Sequence, residues 1–307
     1  MKTKIDIIAG FLGAGKTTFI KKMVTQLYNN EKVVVVENEF GKINIDGDTL
    51  KNSGVTVKEI RAGCICCTSA SDFVSSISEI IEEFNPKRII IEPTGVAKLS
   101  ELLMACKNIA NNDSFVINNI ISILDVSKFE FRKSCSKIFI DDQIKYSKTI
   151  VFSKNQNMPI SKLEEVYLYI KDINENVKIA DFNWDYVNGK ELIYAIENNE
   201  MSASYIYGIE KDKNKINMSA FSSIEFEPTN NFDIQDIEPI LECIKDEEVY
   251  GTILRGKGIL KDNNEDKYKF DYVQGDLNFK AYFGKEGEVI CIIGLNLDRN
   301  KIFRLLS

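Results

Sequence analysis

The sequence predicts a doubly wound, mainly parallel α/β sheet followed by a second, smaller α+β domain. Three observations carry that expectation. Short apolar runs alternate with helical periods through the first two-thirds of the 307 residues. Several runs are apolar on both faces, as strands of a parallel sheet covered by helices must be. The alternation ends after about Asn199, where strand-like segments gather around a single helical stretch. Strand then helix, repeated, calls for crossovers of one hand within one sheet.

In chain order, strands are expected at Ile5–Ala9, Val33–Val36, Val55–Ile60, Ile89–Ile91, Ile120–Leu124, Thr149–Phe152 and Val177–Ala180. Phe19, Met23 and Leu27 recur at helical spacing, as do Phe73, Ile77, Ile80, Ile81 and Phe84. These elements make a first domain over residues 1–205. The polar stretch from Lys211 to Asn217 reads as a linker or hairpin tip near the start of a second domain, residues 206–307. That domain is expected to hold a strand at FSSIEFEP and a helix from Ile234 to Ile244. Strands near Gly251–Leu260, Tyr268–Phe283 and Val289–Ile293 and a short terminal helix complete a mainly antiparallel sheet.

A hydrophobic content of 44% suffices for packed cores. The formal charge of -7 needs no basic face, which argues against a nucleic-acid partner. With no run of about eighteen apolar residues and no signal-peptide pattern, a cytoplasmic protein without a membrane partner is expected. Seven cysteines in such a chain do not read as a disulfide framework. Cys106, Cys135, Cys243 and Cys291 are scattered and read as small buried apolar residues. There is no histidine, so metal binding and general-base work fall to thiolates, carboxylates, backbone or water.

Gly10, Gly13, Gly15, Lys16 and Thr17 fill every fixed position of G-x-x-x-x-G-K-[ST], with Ala14 as the small residue between. Small residues let backbone N–H groups curl around phosphate oxygens while the next helix points its positive end at them. Lys16 would pair with the β- and γ-phosphates, Thr17 would give its hydroxyl to Mg²⁺, and Thr18 would sit near the α-phosphate. The apolar run Ile89–Ile91 ends in Glu92, Pro93, Thr94 and Gly95. A carboxylate at that strand tip is where such enzymes hold the water shell of Mg²⁺, which makes Glu92 the expected residue.

After the second strand comes ENEFG, from Glu37 to Gly41, with Asp46 further on; these carboxylates could face the γ-phosphate, Mg²⁺ or a second metal, or form a polar loop. Gly63, Cys64, Ile65, Cys66, Cys67 follow a strand directly. Clustered thiolates suit Zn²⁺, Co²⁺ or Cu⁺, and three of them leave a position open or filled by Glu37 or Glu39.

GFLGAGKTT, ENEFG, GCICC and EPTG, in this order, resemble the CobW family of GTPases, relatives of the nickel-inserting GTPases of hydrogenase and urease maturation. GTILRGKGIL and the closing IIGLNLDRNKIFRLL resemble that family's second domain, so the resemblance covers essentially the whole chain. It implies a GTP-driven metallochaperone in which Cys64, Cys66 and Cys67 carry Zn²⁺ or Co²⁺, with Glu37 or Glu39 assisting, for delivery to a client metalloprotein. Family members carry an Asn-Lys-x-Asp element after the sixth strand to read guanine. Here Ser153, Lys154, Asn155 and Gln156 stand there. Lys154 can still lie along the base, but Gln156 lacks the charge that accepts two hydrogen bonds from guanine. Hydrogen bonds to charged groups contribute on the order of 1.5–3 kcal/mol, so a weaker guanine preference is expected, with GTP first and ATP open. The histidine-rich segment of many relatives is absent, which leaves one thiolate-rich site.

The expected function is a slow GTPase switch for metal delivery, in which Mg²⁺-GTP orders the ENEFG and GCICC loops and hydrolysis releases the ion. Lys16 and Mg²⁺ would act on the phosphates and Glu39 would orient the attacking water. A reading of another class is a nucleotide-dependent activator of a metallo- or corrinoid enzyme whose cysteines carry no transferable metal. A redox sensor built on Cys66 and Cys67 ranks last, since a disulfide between neighbours is strained. Homodimerisation stays open. Arg255, Lys257 and Tyr272 read as a solvated strand face rather than as partner contacts.

Overall fold

A computed structural model of the chain describes residues 2–28, 31–37, 56–59, 70–109, 115–181, 192, 196, 221–273, 276–284 and 287–306. They fall into two compact units, Met1–Lys213 and Asn214–Ser307.

The first unit contains strands β1 (Thr3–Gly10), β2 (Val33–Glu37), β3 (Thr56–Glu59), β4 (Arg88–Glu92), β5 (Phe115–Asp125), β6 (Thr149–Ser153) and β7 (Lys178–Ala180). They pair in parallel in the order β3-β2-β4-β1-β5-β6-β7. Its helices are α1 (Lys16–Gln26), α2 (Ala70–Phe84), α3 (Leu99–Ile109), α4 (Phe129–Tyr146) and α5 (Ile160–Ile173). Alternate residues of each strand feed opposite layers. Ile8, Val35, Ile90 and Val151 pack with Phe19, Ile20 and Met23 of α1, joined by Leu192 and Ile196. Ile7, Val36 and Ile91 pack on the other face with Ile77 of α2 and Leu102 of α3, while Ile150 and Phe152 pack with Ile144 of α4 and Ile170 of α5. The path from β1 to β2 runs one way across the sheet with α1 on one face. The path from β4 to β5 runs the other way with α3 on the opposite face. Right-handed crossovers require that exchange of faces.

The strand expected at Ile120–Leu124 begins five residues earlier, at Phe115. Asn118 and Asn119 interrupt the apolar run in sequence, yet both serve one buried carboxylate. Asn118 Nδ2 donates to Asp6 Oδ1 at 2.8 Å and Asn119 Nδ2 to the same oxygen at 3.0 Å. In a regular strand, neighbouring side chains point to opposite faces. Here the register between β1 and β5 shifts between Ile5 and Asp6, so both amides can turn to Asp6. Asp6 also accepts from Arg88 Nη1 at 2.5 Å, and Arg88 Nε donates to Glu31 at 3.0 Å. The guanidinium lies 3.7 Å over the Tyr28 ring.

The second unit contains β8 (Phe221–Phe226), β9 (Thr252–Lys261), β10 (Lys267–Val273), β11 (Asp276–Ala281) and β12 (Val289–Leu295), with α6 (Ile234–Cys243), α7 (Glu247–Tyr250) and α8 (Arg299–Leu306). The sheet is antiparallel in the order β11-β10-β9-β12-β8. Ile237 and Leu241 of α6 and Ile302 and Leu306 of α8 share a core with Phe270, Tyr272, Ile290 and Ile292. The single run expected over Tyr268–Phe283 is two strands, because the chain reverses between Val273 and Asp276, which face each other across the hairpin. Gly275 is the turn signal inside that run. The solvated face expected for Lys257 and Tyr272 is also corrected: both are buried. Tyr272 alternates with Asp271 and so joins Phe270 on the helix-covered side. Lys257 lies on the central strand β9, opposite Asp271 and Cys291.

Asp6→Ala would remove a carboxylate from the buried Arg88 guanidinium. Losing one partner of a buried pair costs about 3–5 kcal/mol, measurable as a fall in the urea midpoint at unchanged slope. A loss below about 1 kcal/mol would mean that Glu31 alone holds the charge.

Candidate functional site

β1 ends at Gly10, and Phe11 to Gly15 turn the chain into α1. The turn closes through Ala14 N donating to Phe11 O at 3.1 Å. Gly15 is the N-cap of α1 at φ 97°, a left-handed conformation that glycine alone adopts without cost, and no side chain caps the helix there. The first-turn N–H groups and the positive end of α1 are thus directed at the carboxyl edge of the sheet, where they suit an anion. Gly95, after β4, sits against this turn: a Cβ there would lie 2.5 Å from Leu12 N.

Lys16, Thr17 and Glu92 come together at that edge. Thr17 Oγ1 lies 3.1 Å from each carboxylate oxygen of Glu92. Lys16 Nζ lies 3.9 Å from Glu92 Oε1 and donates to Phe11 O at 3.4 Å. Thr18 is exposed on the first turn of α1. Hydroxyl and carboxylate oxygens beside a buried ammonium form a hard donor set, which fits Mg²⁺ rather than a soft ion. Glu37, at the tip of β2, is the Cα partner of Glu92 and is 4% exposed. Glu37 is in turn the Cα partner of Glu59, the last residue of β3. Glu39, Asp46, Cys64, Cys66 and Cys67 lie outside the described residues. Among the described residues no group of three or more His, Cys, Asp or Glu could hold a metal ion, and no helix is long and apolar enough to cross a membrane.

On the other side of the turn, Ser153 Oγ donates to Ala14 O at 2.8 Å, tying the end of β6 to the phosphate turn. Lys154, at φ 55°, is exposed and places Nζ 3.0 Å from Asp125 Oδ2. Asn155 Nδ2 donates to Asp181 O, and Gln156 is exposed on the turn that follows. Asp125 and Arg132 are the residues that the sequence reading missed. Asp125 is fully buried at the tip of β5, pairs with Arg132 Nη2 at 2.9 Å and accepts from Ser127 N and Oγ. Arg132 lies 5.8 Å from the Phe11 ring centroid. The signal was present, since Asp125 ends an apolar run just as Glu92 does.

Burial alone would push the Asp125 carboxyl up, but Arg132, Ser127 and Lys154 outweigh it and hold it below its ordinary value. A carboxylate depressed in the folded state contributes stability above its unfolded value of about 3.9 and loses it as pH falls through the folded value. Asp125→Asn is therefore expected to lower stability at neutral pH and to flatten the acid limb below about pH 4, followed by denaturant midpoints. An acid limb identical to that of the parent chain would place the acid-sensitive group elsewhere.

Residues 4–181 match the family described as CobW/HypB/UreG, nucleotide-binding domain, and residues 221–307 match the cobalamin synthesis protein cobW C-terminal domain. The chain is 33% identical over 153 residues to the zinc chaperone YeiR of Escherichia coli (strain K12), covering 50% of this chain and 47% of YeiR. It is 32% identical over 181 residues to the zinc chaperone CobW of a Sinorhizobium species, covering 56% of this chain and 49% of that protein. The matches thus span about half the length of these two relatives. Over the whole chain it aligns with the crystal structure of Zn(II)-bound YjiA GTPase from E. coli, at 20% identity and a TM-score of 0.49, covering 99% of that chain. By its family matches, and with its phosphate turn, Thr17 and Glu92 gathered at one sheet edge, the chain belongs to the CobW/HypB/UreG family of P-loop GTPases.

Proposed function

We propose that this chain is a GTP-hydrolysing metal carrier, which loads a transition metal, zinc first, on Cys64, Cys66 and Cys67 and hands it to a client metalloprotein in the cytoplasm. The carrying observation is the alignment of strand tips. Glu37 on β2 and Glu59 on β3 stand in register with Glu92, the partner of Thr17. The ENEFG segment continues directly from β2, and Cys64 follows the last residue of β3 by five positions. The tips of β2 and β3 lie on the same edge of the sheet as the phosphate turn, two and three strands from β1, on the edge that a γ-phosphate-dependent switch would use. The names of the relatives point the same way: YeiR and CobW are zinc chaperones, and a Dictyostelium discoideum relative, 21% identical, is the zinc-regulated GTPase metalloprotein activator 1.

Within this reading Lys16 pairs with the β- and γ-phosphates, and the first turn of α1 holds them through its N–H groups. Thr17 and Glu92 hold Mg²⁺, which when bound neutralises charge developing on the phosphates. Glu37 and Glu39 complete the ligand set for the carried metal, and Glu39 orients the attacking water. Thiolates rather than oxygens favour Zn²⁺ over Mg²⁺ at the carrier loop, so the two ions sort by donor softness.

Zn²⁺ affinity of the reduced protein, measured by competition with a chromophoric chelator, is expected to differ by about tenfold, or ~1.4 kcal/mol of coupling, between Mg²⁺-GDP and a non-hydrolysable Mg²⁺-GTP analogue. The difference should vanish when Cys64, Cys66 and Cys67 are all replaced by Ala. Equal, weak affinity in both nucleotide states would overturn the carrier reading in favour of a nucleotide-dependent activator. Lys16→Ala should abolish hydrolysis while leaving the thiolates able to bind Zn²⁺.

A further inference from the structure

In the second unit β11 is an outermost strand: among the described residues only β10 pairs with it. An edge strand presents a row of N–H and C=O groups, which proteins blunt with lysines, prolines, bulges or very short strands. β11 carries one lysine, Lys280. Its six residues, Asp276–Ala281, contain no proline and run against β10 without a shift in register. Phe283, two residues past the strand, is 95% exposed.

The ladder fixes which backbone groups face outward. Tyr282 N donates to Lys267 O at 2.8 Å, so these two residues form a hydrogen-bonded pair. Bonded and non-bonded pairs alternate along an antiparallel ladder. Continuing the register, Lys280, Asn278 and Asp276 direct their backbone groups at Lys269, Asp271 and Val273 of β10. The N–H and C=O groups of Leu277 and Phe279 therefore point outward, past the edge of the sheet. Their side chains pack against the core shared with α6, whereas Asp276, Asn278 and Lys280 are exposed on the opposite face.

The charge order along β11 is complementary to itself. Antiparallel pairing about a two-fold axis at Asn278 sets Leu277 opposite Phe279 in bonded pairs and Asp276 opposite Lys280 in non-bonded pairs. Opposed side chains approach more closely at non-bonded positions, which favours the ion pairs. Moving the axis to Phe279 would set Lys280 against Asn278. Moving it to Lys280 or to Asp276 would set like charges face to face. Lys280 already stands opposite Lys269 across β10, so a carboxylate on its other side offsets a like-charge contact.

We propose that β11 is a self-association edge, through which two copies of this chain pair in the antiparallel register centred on Asn278. The two five-stranded sheets then form one continuous sheet, with Asp276 of each copy against Lys280 of the other. Backbone hydrogen bonds at Leu277 and Phe279 join the strands, and these two side chains extend the apolar layer across the axis. Phe283 is carried toward the hairpin turn of the second copy. The contact uses neither the phosphate turn nor the cysteines, so it forms without nucleotide or metal.

The test is sedimentation velocity of the reduced full chain without nucleotide. A contact made by one strand pair lies at the small end of specific interfaces, so the parent should pass from monomer to dimer over about 1 to 100 μM. Lys280→Glu and Asp276→Lys each set like charges opposite one another at both ion pairs and should weaken association by about tenfold or more. The double variant restores opposite charges in exchanged places and should recover the dimer. Amide hydrogen exchange on the parent gives a reading that needs no variant: Leu277 and Phe279 should gain protection as concentration rises. A parent that stays monomeric through this range, or a dimer equally strong in both single variants, would overturn the proposal. A dimer without added protection at Leu277 and Phe279 would overturn it too, placing the contact on another surface.

Discussion

Burial of a parallel sheet on both faces is the constraint from which the site follows. A strand sandwiched between helical layers has no position inside it where a charge can reach water, so ionisable residues are displaced to its ends. All strands point the same way, so those ends form one edge. β2, β3, β4 and β5 close on Glu37, Glu59, Glu92 and Asp125, and β6 closes on Ser153. The phosphate turn, Glu92, Asp125 and Ser153 are therefore gathered at one edge.

Asp6 and Arg88 break that rule within the sheet, and the cost is offset locally. The guanidinium meets Asp6, a second acid and an aromatic face, and Asp6 accepts from two amides, so both charges are met by hydrogen bonds rather than left to desolvation. The arrangement joins β1, β4 and β5, the strands that carry the phosphate turn, Glu92 and Asp125. The register shift at Asp6 belongs to this cluster, since without it only one asparagine could face the carboxylate.

The two sides of the phosphate turn are built differently. Toward β4 and β2 the groups are carboxylates and a hydroxyl, suited to cations that neutralise phosphate. Toward β5 and β6 the charges are already paired: Asp125 is balanced by Arg132 and Lys154 and held ionised by them.

The sequence by itself determined the strand order of the first unit along the chain, the sheet types and the glycine turn before Lys16 and Thr17. Those depend on local patterns: apolar runs of strand length, helical spacing, and a glycine-lysine-threonine spacing whose geometry is short-range. Glu92 was legible for the same reason, being the charge that ends an apolar run. Asp125 carried that signal too, but its meaning lay in Arg132 and Lys154, seven and twenty-nine residues away, which only folding brings within 3.0 Å. Asn118 and Asn119 looked like a break in a strand because their partner, Asp6, is 112 and 113 residues distant. Lys257 and Tyr272 looked solvent-facing because alternation does not say which face a sheet will bury or which strand will be central. Tertiary structure decided those points, since the stability of a buried polar group depends on partners that come from elsewhere in the chain.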